Sequence, residues 1–285
     1  LTSYISAMFN ERLSDIARKP DAPFISAGFS PATSVGICPT LETTVGQVMT
    51  QDGKLMTGYK ALLTEMERVR RYGFTEGEYE RAKNNMLSAL ESQYNSRDDR
   101  EHAAFAERCI DHFREGTPLY DAETEYQLDK QLADAITLDA INQTVKQMYD
   151  PLKNAVIIVN SPAKDGVAVP TETELVETLK ATVAAEIEAF KDNVVKVPLI
   201  EDEAALKGSP VKKEAFNEAM GTTEWTLKNG IKVVVKQTPY EADAIYLAAV
   251  SEGGAAIFCD EDYYSAQMLG SVMSRSGISK SSASD

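Results

Sequence analysis

The sequence is short of the residues that usually carry metal or nucleophilic chemistry. Its 285 residues include two histidines, three cysteines and one tryptophan. His102 and His112 stand ten apart, whereas two helical histidines sharing a metal need a spacing of four. Cys109 and His112, three apart, fall on one helix face, but no further ligand accompanies them. Cys38, Cys109 and Cys259 are widely spaced and contain no CxxC pair, so neither a disulfide framework nor a cysteine zinc site is implied. Each is expected to be a buried free thiol. There is no Gly-x-Ser-x-Gly elbow, no Gly-x-Gly-x-x-Gly loop and no Walker pattern, which leaves Gly28, Gly253 and Gly254 as turn or packing positions. The residues themselves assign no catalytic, no cofactor-binding and no metal-binding position.

Long apolar runs are also missing. A run such as Ala155-Val156-Ile157-Ile158-Val159 is strand-sized, while a bilayer span needs about 20 apolar residues. Basic charge is scarce: 44 acidic against 29 basic residues give a net charge of -15. Nucleic-acid binding neutralises phosphates with Lys and Arg, so this balance argues against it. The cluster Arg68-Val69-Arg70-Arg71 reads as the solvated face of an amphipathic helix. The acidic balance fits basic peptides as partners, but plain solubility is the simpler explanation. Leu1 is followed by neither a basic segment nor a signal-like apolar core, and the location stays open between bacterial periplasm and cytoplasm.

With 43% hydrophobic and 26% charged residues, the chain has the composition of a globular protein of roughly two domains. Residues 1–18 place Leu1, Ile5, Met8, Phe9, Leu13 and Ile16 on one helical stripe. Strands are expected over 24–29 and 34–41, with Ser30-Pro31-Ala32-Thr33 as the turn between them, and 43–51 as a further extended piece or connection. Leu55, Tyr59, Leu62, Met66 and Val69 predict a helix that Tyr72-Gly73-Phe74 closes. Thr75-Glu76-Gly77-Glu78 is a capping box that opens the next. Further helices are expected around Phe105–Phe113, over 122–135 and over 138–149, and an apolar strand over 153–160.

Residues 161–220 read as a connector with one helix, opened by a second capping box at Thr171/Glu174 and running to Phe190. Beyond it, Asn229-Gly230 is the preferred pair for a two-residue hairpin turn, in which both residues need positive φ. Its arms are 225–227 and 231–235. A third strand over 243–250 and a helix over 261–274 follow. The order of elements predicts an α+β fold: a two-layer sandwich with a mainly antiparallel sheet and helices on one face, plus a partial second copy.

Three passages carry a resemblance. "MFNERLSDIARKPDAPFISAGFSP" is similar to the helix-to-strand passage in the second domain of pitrilysin/insulinase-type zinc peptidases, through Arg12-Leu13 and Ala22-Pro23-Phe24. "LTEMERVRRYGFTEGEYERAKNNMLSALE" resembles the family's next signature at Gly73, Thr75, Glu76, Glu80, Ala82 and Lys83. "WTLKNGIKVVVKQTP", with Leu227, Asn229-Gly230 and Val233, resembles the opening of a fresh repeat, and "SEGGA" the end of its next strand.

The resemblance implies a map. Residues 1–160 correspond to most of a non-catalytic second domain, 161–221 to the linker, and 222–285 to the start of a third. In the family, zinc sits in the first domain on a His-x-x-Glu-His helix. The counterpart here, near "DYYSAQMLGSVM", offers Ser265, Ala266, Gln267, Met268 and Leu269, so no metal or catalytic residue carries over. The resemblance thus implies a non-catalytic part of a zinc metalloendopeptidase that helps enclose peptide or unfolded-protein substrates beside the other domains of the same chain. Zinc is expected in an upstream domain of the parent. The alternative is a catalytically degenerate superfamily member serving as a structural or assembly subunit; an unrelated α+β binding module is a third reading. On the implied map much of each core lies beyond both ends, so exposed apolar surface and self-association are expected. The chain by itself is expected to hydrolyse no peptide and to bind no stoichiometric zinc.

Overall fold

A computed structural model describes residues 1–34, 42–192, 206–240, 244–274, 276–277 and 281. The chain divides into two compact units, one made of Leu1–Leu90 and Gln127–Val194, the other of Glu91–Tyr126 and Val195–Asp285.

In the first unit, α1 (Thr2–Arg18) buries Tyr4, Ile5, Met8, Phe9 and Leu13 along the predicted stripe, while Leu1 stays exposed. α1 packs on β1 (Ser26–Ser34), which pairs antiparallel with β2 (Glu42–Met49). The predicted turn over 30–33 does not form. β1 runs through Pro31, and the register shifts between Ser30 and Thr33. Proline cannot donate a ladder hydrogen bond, and a bulge is what lets a strand pass it. Residues 35–41 of the strand expected over 34–41 lie outside the described residues; the extended piece expected over 43–51 is the strand that pairs with β1.

α2 (Leu55–Tyr72) packs on β2, on α6 (Leu138–Met148) and on α7 (Glu172–Ala184). Gly73, at φ 72°, ends α2. The capping box then starts α3 (Glu76–Asn95): the Glu78 N–H donates to Thr75 Oγ1 at 3.3 Å and the Thr75 N–H to Glu78 Oε2 at 2.8 Å. Phe24, Phe29, Leu62, Val69, Phe74, Ala82, Ile141 and Val145 complete the core around α1. The Phe9 and Phe29 rings meet edge to face at 4.6 Å.

α7 opens with the predicted capping box at Thr171/Glu174 but stops at Ala184, short of Phe190. The reason lies on α2. Arg71 donates to the Val183 and Ala185 carbonyls at 2.6 and 2.8 Å, the Tyr72 hydroxyl to Ile187 O at 2.8 Å, and Arg68 Nε to Glu188 O at 2.8 Å. These donors satisfy the carbonyls at and beyond the helix end, where cationic groups are also favoured by the helix dipole. The strand expected over 153–160 is absent. Val156 and Ile158 are 83% and 80% exposed, and among the described residues no strand offers this segment a ladder. An apolar run becomes a strand only where a neighbour supplies peptide groups.

In the second unit, α4 (His102–Glu115) forms as predicted yet buries no residue. α5 (Ala122–Ala135) begins in this unit. Tyr94 stacks on Tyr126 at 4.7 Å, and the Arg97 guanidinium lies over Tyr94 at 4.4 Å. β3 (Val211–Asn217), β4 (Thr222–Leu227) and β5 (Lys232–Val235) make an antiparallel sheet in chain order. β3 falls in the stretch that reads as a connector, because its largely exposed side chains leave no apolar alternation.

The hairpin at Asn229-Gly230 is present with a different turn. The Gly230 N–H donates to Leu227 O at 3.0 Å and the Leu227 N–H to Ile231 O at 2.8 Å, which closes a loop of Lys228, Asn229 and Gly230. Gly230 has φ 91°, whereas Asn229 keeps negative φ. This is a three-residue turn ending in a glycine bulge, and it needs positive φ at one residue rather than two. The third strand expected over 243–250 does not form over the described residues 244–250, where Ile245 and Leu247 are 96% and 94% exposed. α8 (Tyr263–Met273) follows as predicted, again with no buried residue.

The architecture is α+β, with small antiparallel sheets and many helices. Among the described residues no helix is long and apolar enough to cross a membrane.

Candidate functional site

The cross-strand pair Phe29/Gly46 fixes how the first sheet faces. Phe29 is buried against α1. Gly46 approaches α2 so closely that a Cβ there would stand 2.7 Å from Met66 Sδ. Residues one step away point to the other side. The helix-free face is therefore made by the pairs Ser26/Met49, Gly28/Gln47 and Ser30/Val45. Val45, Gln47 and Met49 are exposed, and β1 contributes only serine and glycine. That leaves backbone within reach of an extended ligand.

The two edges of this ladder differ. Asn10 on α1 donates through Nδ2 to Phe29 O at 2.9 Å and accepts the Phe29 N–H at 2.8 Å. The Ser6 hydroxyl adds a bond to the same carbonyl at 3.3 Å. One side-chain amide thus occupies both peptide groups of Phe29, as a neighbouring strand would. In an antiparallel ladder such a residue belongs to a non-hydrogen-bonded pair, so the N–H and C=O of its partner Gly46 also point outward. Among the described residues no strand pairs with the outer side of β2. Among the described residues, the edge of β1 is closed at its centre and that of β2 is open.

A polar network supports the core behind this face. Arg81 bridges Glu11 at 2.8 Å and Asp192 at 3.0 Å, and the Thr75 hydroxyl reaches Asp192 at 3.3 Å. The Arg12 guanidinium, paired with Glu78, lies over the rings of Phe190 and Phe74 at 4.0 and 5.3 Å. On α2, burial pushes the Glu67 carboxyl up, but hydrogen bonds and charge from Arg70 and Arg71 outweigh it and hold the group below its ordinary range. Burial, reinforced by the Glu67 charge, pushes the Tyr149 hydroxyl well up; it donates to Met66 O at 2.6 Å. These groups hold structure, and none is arranged as a nucleophile with a base.

The residues singled out in the sequence do not converge. His102, Cys109 and His112 share the exposed helix α4, and His112 Nδ1 is engaged with Thr117 O at 2.7 Å. Cys109 and Cys259 are exposed rather than buried, because among the described residues nothing covers α4 or the turn before α8; Cys38 lies outside the described residues. Gly253, at φ 126°, caps a short 3-10 helix (Gly254–Ile257) that Gly254, at φ 71°, opens. Ser265–Leu269 lie on α8 without an acidic or imidazole side chain. Among the described residues no group of three or more His, Cys, Asp or Glu could hold a metal ion. Asn10 and Gly46, which decide the sheet edges, gave no sequence signal, since their roles depend on partners 19 and 20 residues away.

No protein-family model matches the chain. It is 24% identical over 285 residues to the probable zinc protease PqqL of Escherichia coli (strain K12), covering 99% of this chain and 30% of that protein. It is 25% identical over 211 residues to the zinc protease PQQL-like of Arabidopsis thaliana, covering 74% of this chain and 22% of that protein. The crystal structure of the periplasmic protease PqqL from Escherichia coli superposes with a TM-score of 0.57 over 99% of this chain and 31% of that one, at 18% identity. A Yersinia pestis structure described as a "predicted insulinase family protease" gives 0.50 over 64% of this chain and 38% of that one, at 13% identity. The chain spans less than a third of the curated relatives it matches. It is similar in sequence to these zinc proteases, matched over one part of their length.

Proposed function

We propose that this chain is a non-catalytic part of a zinc-dependent metalloendopeptidase and that it helps form the chamber enclosing peptide substrates. Residues 1–160 form the second-domain counterpart, 161–221 the linker, and 222–285 the start of the next homologous domain. The observation that carries the reading is similarity to a zinc protease along nearly the whole chain, in a sequence whose two histidines stand ten apart. Zinc belongs to another domain of the parent, and the other domains of the same chain are partners. The contribution of this chain is surface. Its extended-ligand site is the outer edge of β2 at Gly46, because Asn10 already occupies the matching edge of β1. A peptide lying along β2 would gain main-chain hydrogen bonds by strand addition.

Two measurements test this. The 285-residue chain should cleave no peptide and hold no stoichiometric zinc, while the full-length reading frame should do both. Cleavage with one equivalent of zinc in the chain alone would sink the proposal, and inactivity of the full-length protein would transfer support to a degenerate structural subunit. In the chain alone, an extended peptide should shift backbone amide NMR signals of Glu42–Met49 and leave those of Ser26–Ser34 largely unmoved. The reverse pattern would remove β2 as the site.

A further inference from the structure

An open cleft of about 680 Å³ lies beside α2 in the first unit. Ile16, Pro23, Met56 and Ala61 supply apolar wall, and Thr178 of α7 joins them. The acidic group lining this cleft is Glu65, whose side chain is 9% exposed. Its Oε1 pairs with Arg68 Nη1 one turn along α2. Its Oε2 is sealed from bulk water and receives no hydrogen bond.

A buried acceptor without a donor costs about 1–3 kcal/mol, and more when charged. The group that removes this cost is an N–H donor, best if cationic. The terminal torsion of a glutamate is broad, and the Glu65 carboxylate would turn about it to meet a donor held in the cleft. Lys19 and Lys60 also line the cleft, but both are exposed, where water and salt screen their charge far more than that of a buried carboxylate. The net charge of -15 draws cations toward the chain.

We infer that this cleft is a binding site for an ammonium group carried on an apolar stem, with Glu65 as its counter-ion and Ile16, Pro23, Met56 and Ala61 as its apolar contact. Two sources share that chemistry, the amino terminus of a peptide and a lysine side chain. The site is independent of zinc and of the β2 edge.

The test is calorimetric titration of the 285-residue chain with three probes. Leucinamide carries a free amino terminus, Nα-acetyl-lysinamide a side-chain ammonium, and Nα-acetyl-leucinamide neither. At least one ammonium probe should saturate a single site, at least about tenfold more tightly than Nα-acetyl-leucinamide, a gap of about 1.4 kcal/mol; whichever binds more tightly names the source. Glu65→Gln should weaken it by a similar factor. Thr57→Trp, an exposed cleft position, should do the same by filling the cleft while leaving Glu65 intact, and it decides the matter if Glu65→Gln fails to fold. Equal binding of Nα-acetyl-leucinamide, no saturable binding of either ammonium probe, or unchanged affinity in a folded variant would overturn the inference.

Discussion

Arg12 and Glu78 form a two-pronged ion pair across 66 residues of sequence: Nε donates to Oε1 and Nη2 to Oε2, both at 2.8 Å, with side chains only 1% and 3% exposed. Glu78 also caps α3 by accepting the Thr75 N–H and hydroxyl at 2.8 and 2.9 Å. The pair therefore joins the middle of α1 to the first turn of α3. Such a pair fixes geometry more than it adds net stability, because desolvation offsets much of the attraction.

Removing one partner should be far worse than removing both. Glu78→Gln strands a buried guanidinium whose Nη1 already lacks a hydrogen bond, at an expected cost of about 3–5 kcal/mol. The double substitution Arg12→Met with Glu78→Leu puts apolar groups beside Phe74 and Phe190 and should recover most of that loss. The residue of the cost should be about 1 kcal/mol for the missing helix cap. Urea unfolding followed by circular dichroism compares them; a double variant no more stable than Glu78→Gln would show that the pair is not the source of the cost.

Glu67 should contribute to acid unfolding. Its folded-state pKa lies below the ordinary value, so its contribution is complete above the unfolded pKa of about 4.3 and disappears as pH falls through the lower folded value. Glu67→Gln should be less stable than the parent at pH 7 and should lose less on acidification below about pH 5. Asp121, Asp150 and Glu174 also have lowered values and remain in the variant, so the slope should shrink without vanishing. Parallel stability–pH curves for parent and variant would rule Glu67 out.

What was legible in the sequence was local. The stripe Ile5, Met8, Phe9, Leu13 and the boxes Thr75/Glu78 and Thr171/Glu174 are complete within one or a few helical turns, and they stand where expected. What depends on distant partners was not legible. Arg12 sits inside the apolar stripe and is buried only because Glu78 comes to meet it. The apolar runs 153–160 and 244–250 have strand composition, yet a strand is a property of two segments, and neither run has a ladder among the described residues. The open edge of β2 was invisible for the same reason, since it is defined by the side chain of Asn10 closing the opposite one.

Two glycines with nearly equal φ should differ in how badly they tolerate a side chain. Gly53 (φ 76°) has open space around it, whereas a Cβ on Gly73 (φ 72°) would stand 2.3 Å from Asn142 Oδ1. Asn142 accepts the Phe74 N–H at 2.8 Å and donates to Phe74 O at 3.2 Å. Gly53→Ala should cost about 1–2 kcal/mol, the backbone penalty alone. Gly73→Ala should cost at least about 1 kcal/mol more, because ψ -155° places Gly73 where other residues are strained and a Cβ would disturb the Asn142 hydrogen bonds. Equal losses of urea midpoint would show that neither the backbone at Gly73 nor the contact with Asn142 adds a cost.

The hairpin gives the sharpest contrast between two turn types. If both turn residues needed positive φ, Asn229 and Gly230 would be equally intolerant of ordinary side chains. The observed loop places that demand on Gly230 alone, while Asn229 Oδ1 accepts the Ile231 N–H at 3.2 Å. Gly230→Val should therefore disrupt the β4–β5 pairing, at a cost of about 1–2 kcal/mol. Asn229→Ala should remove one exposed hydrogen bond and cost about 0.5–1 kcal/mol. Trp225 on β4, with Nε1 bonded to Glu214 Oε2 at 2.9 Å across the sheet, is the one tryptophan and reports on this sheet by fluorescence. Gly230→Val should shift its emission toward that of the unfolded chain, and Asn229→Ala should leave it close to the parent. Comparable shifts in both would restore the two-residue turn.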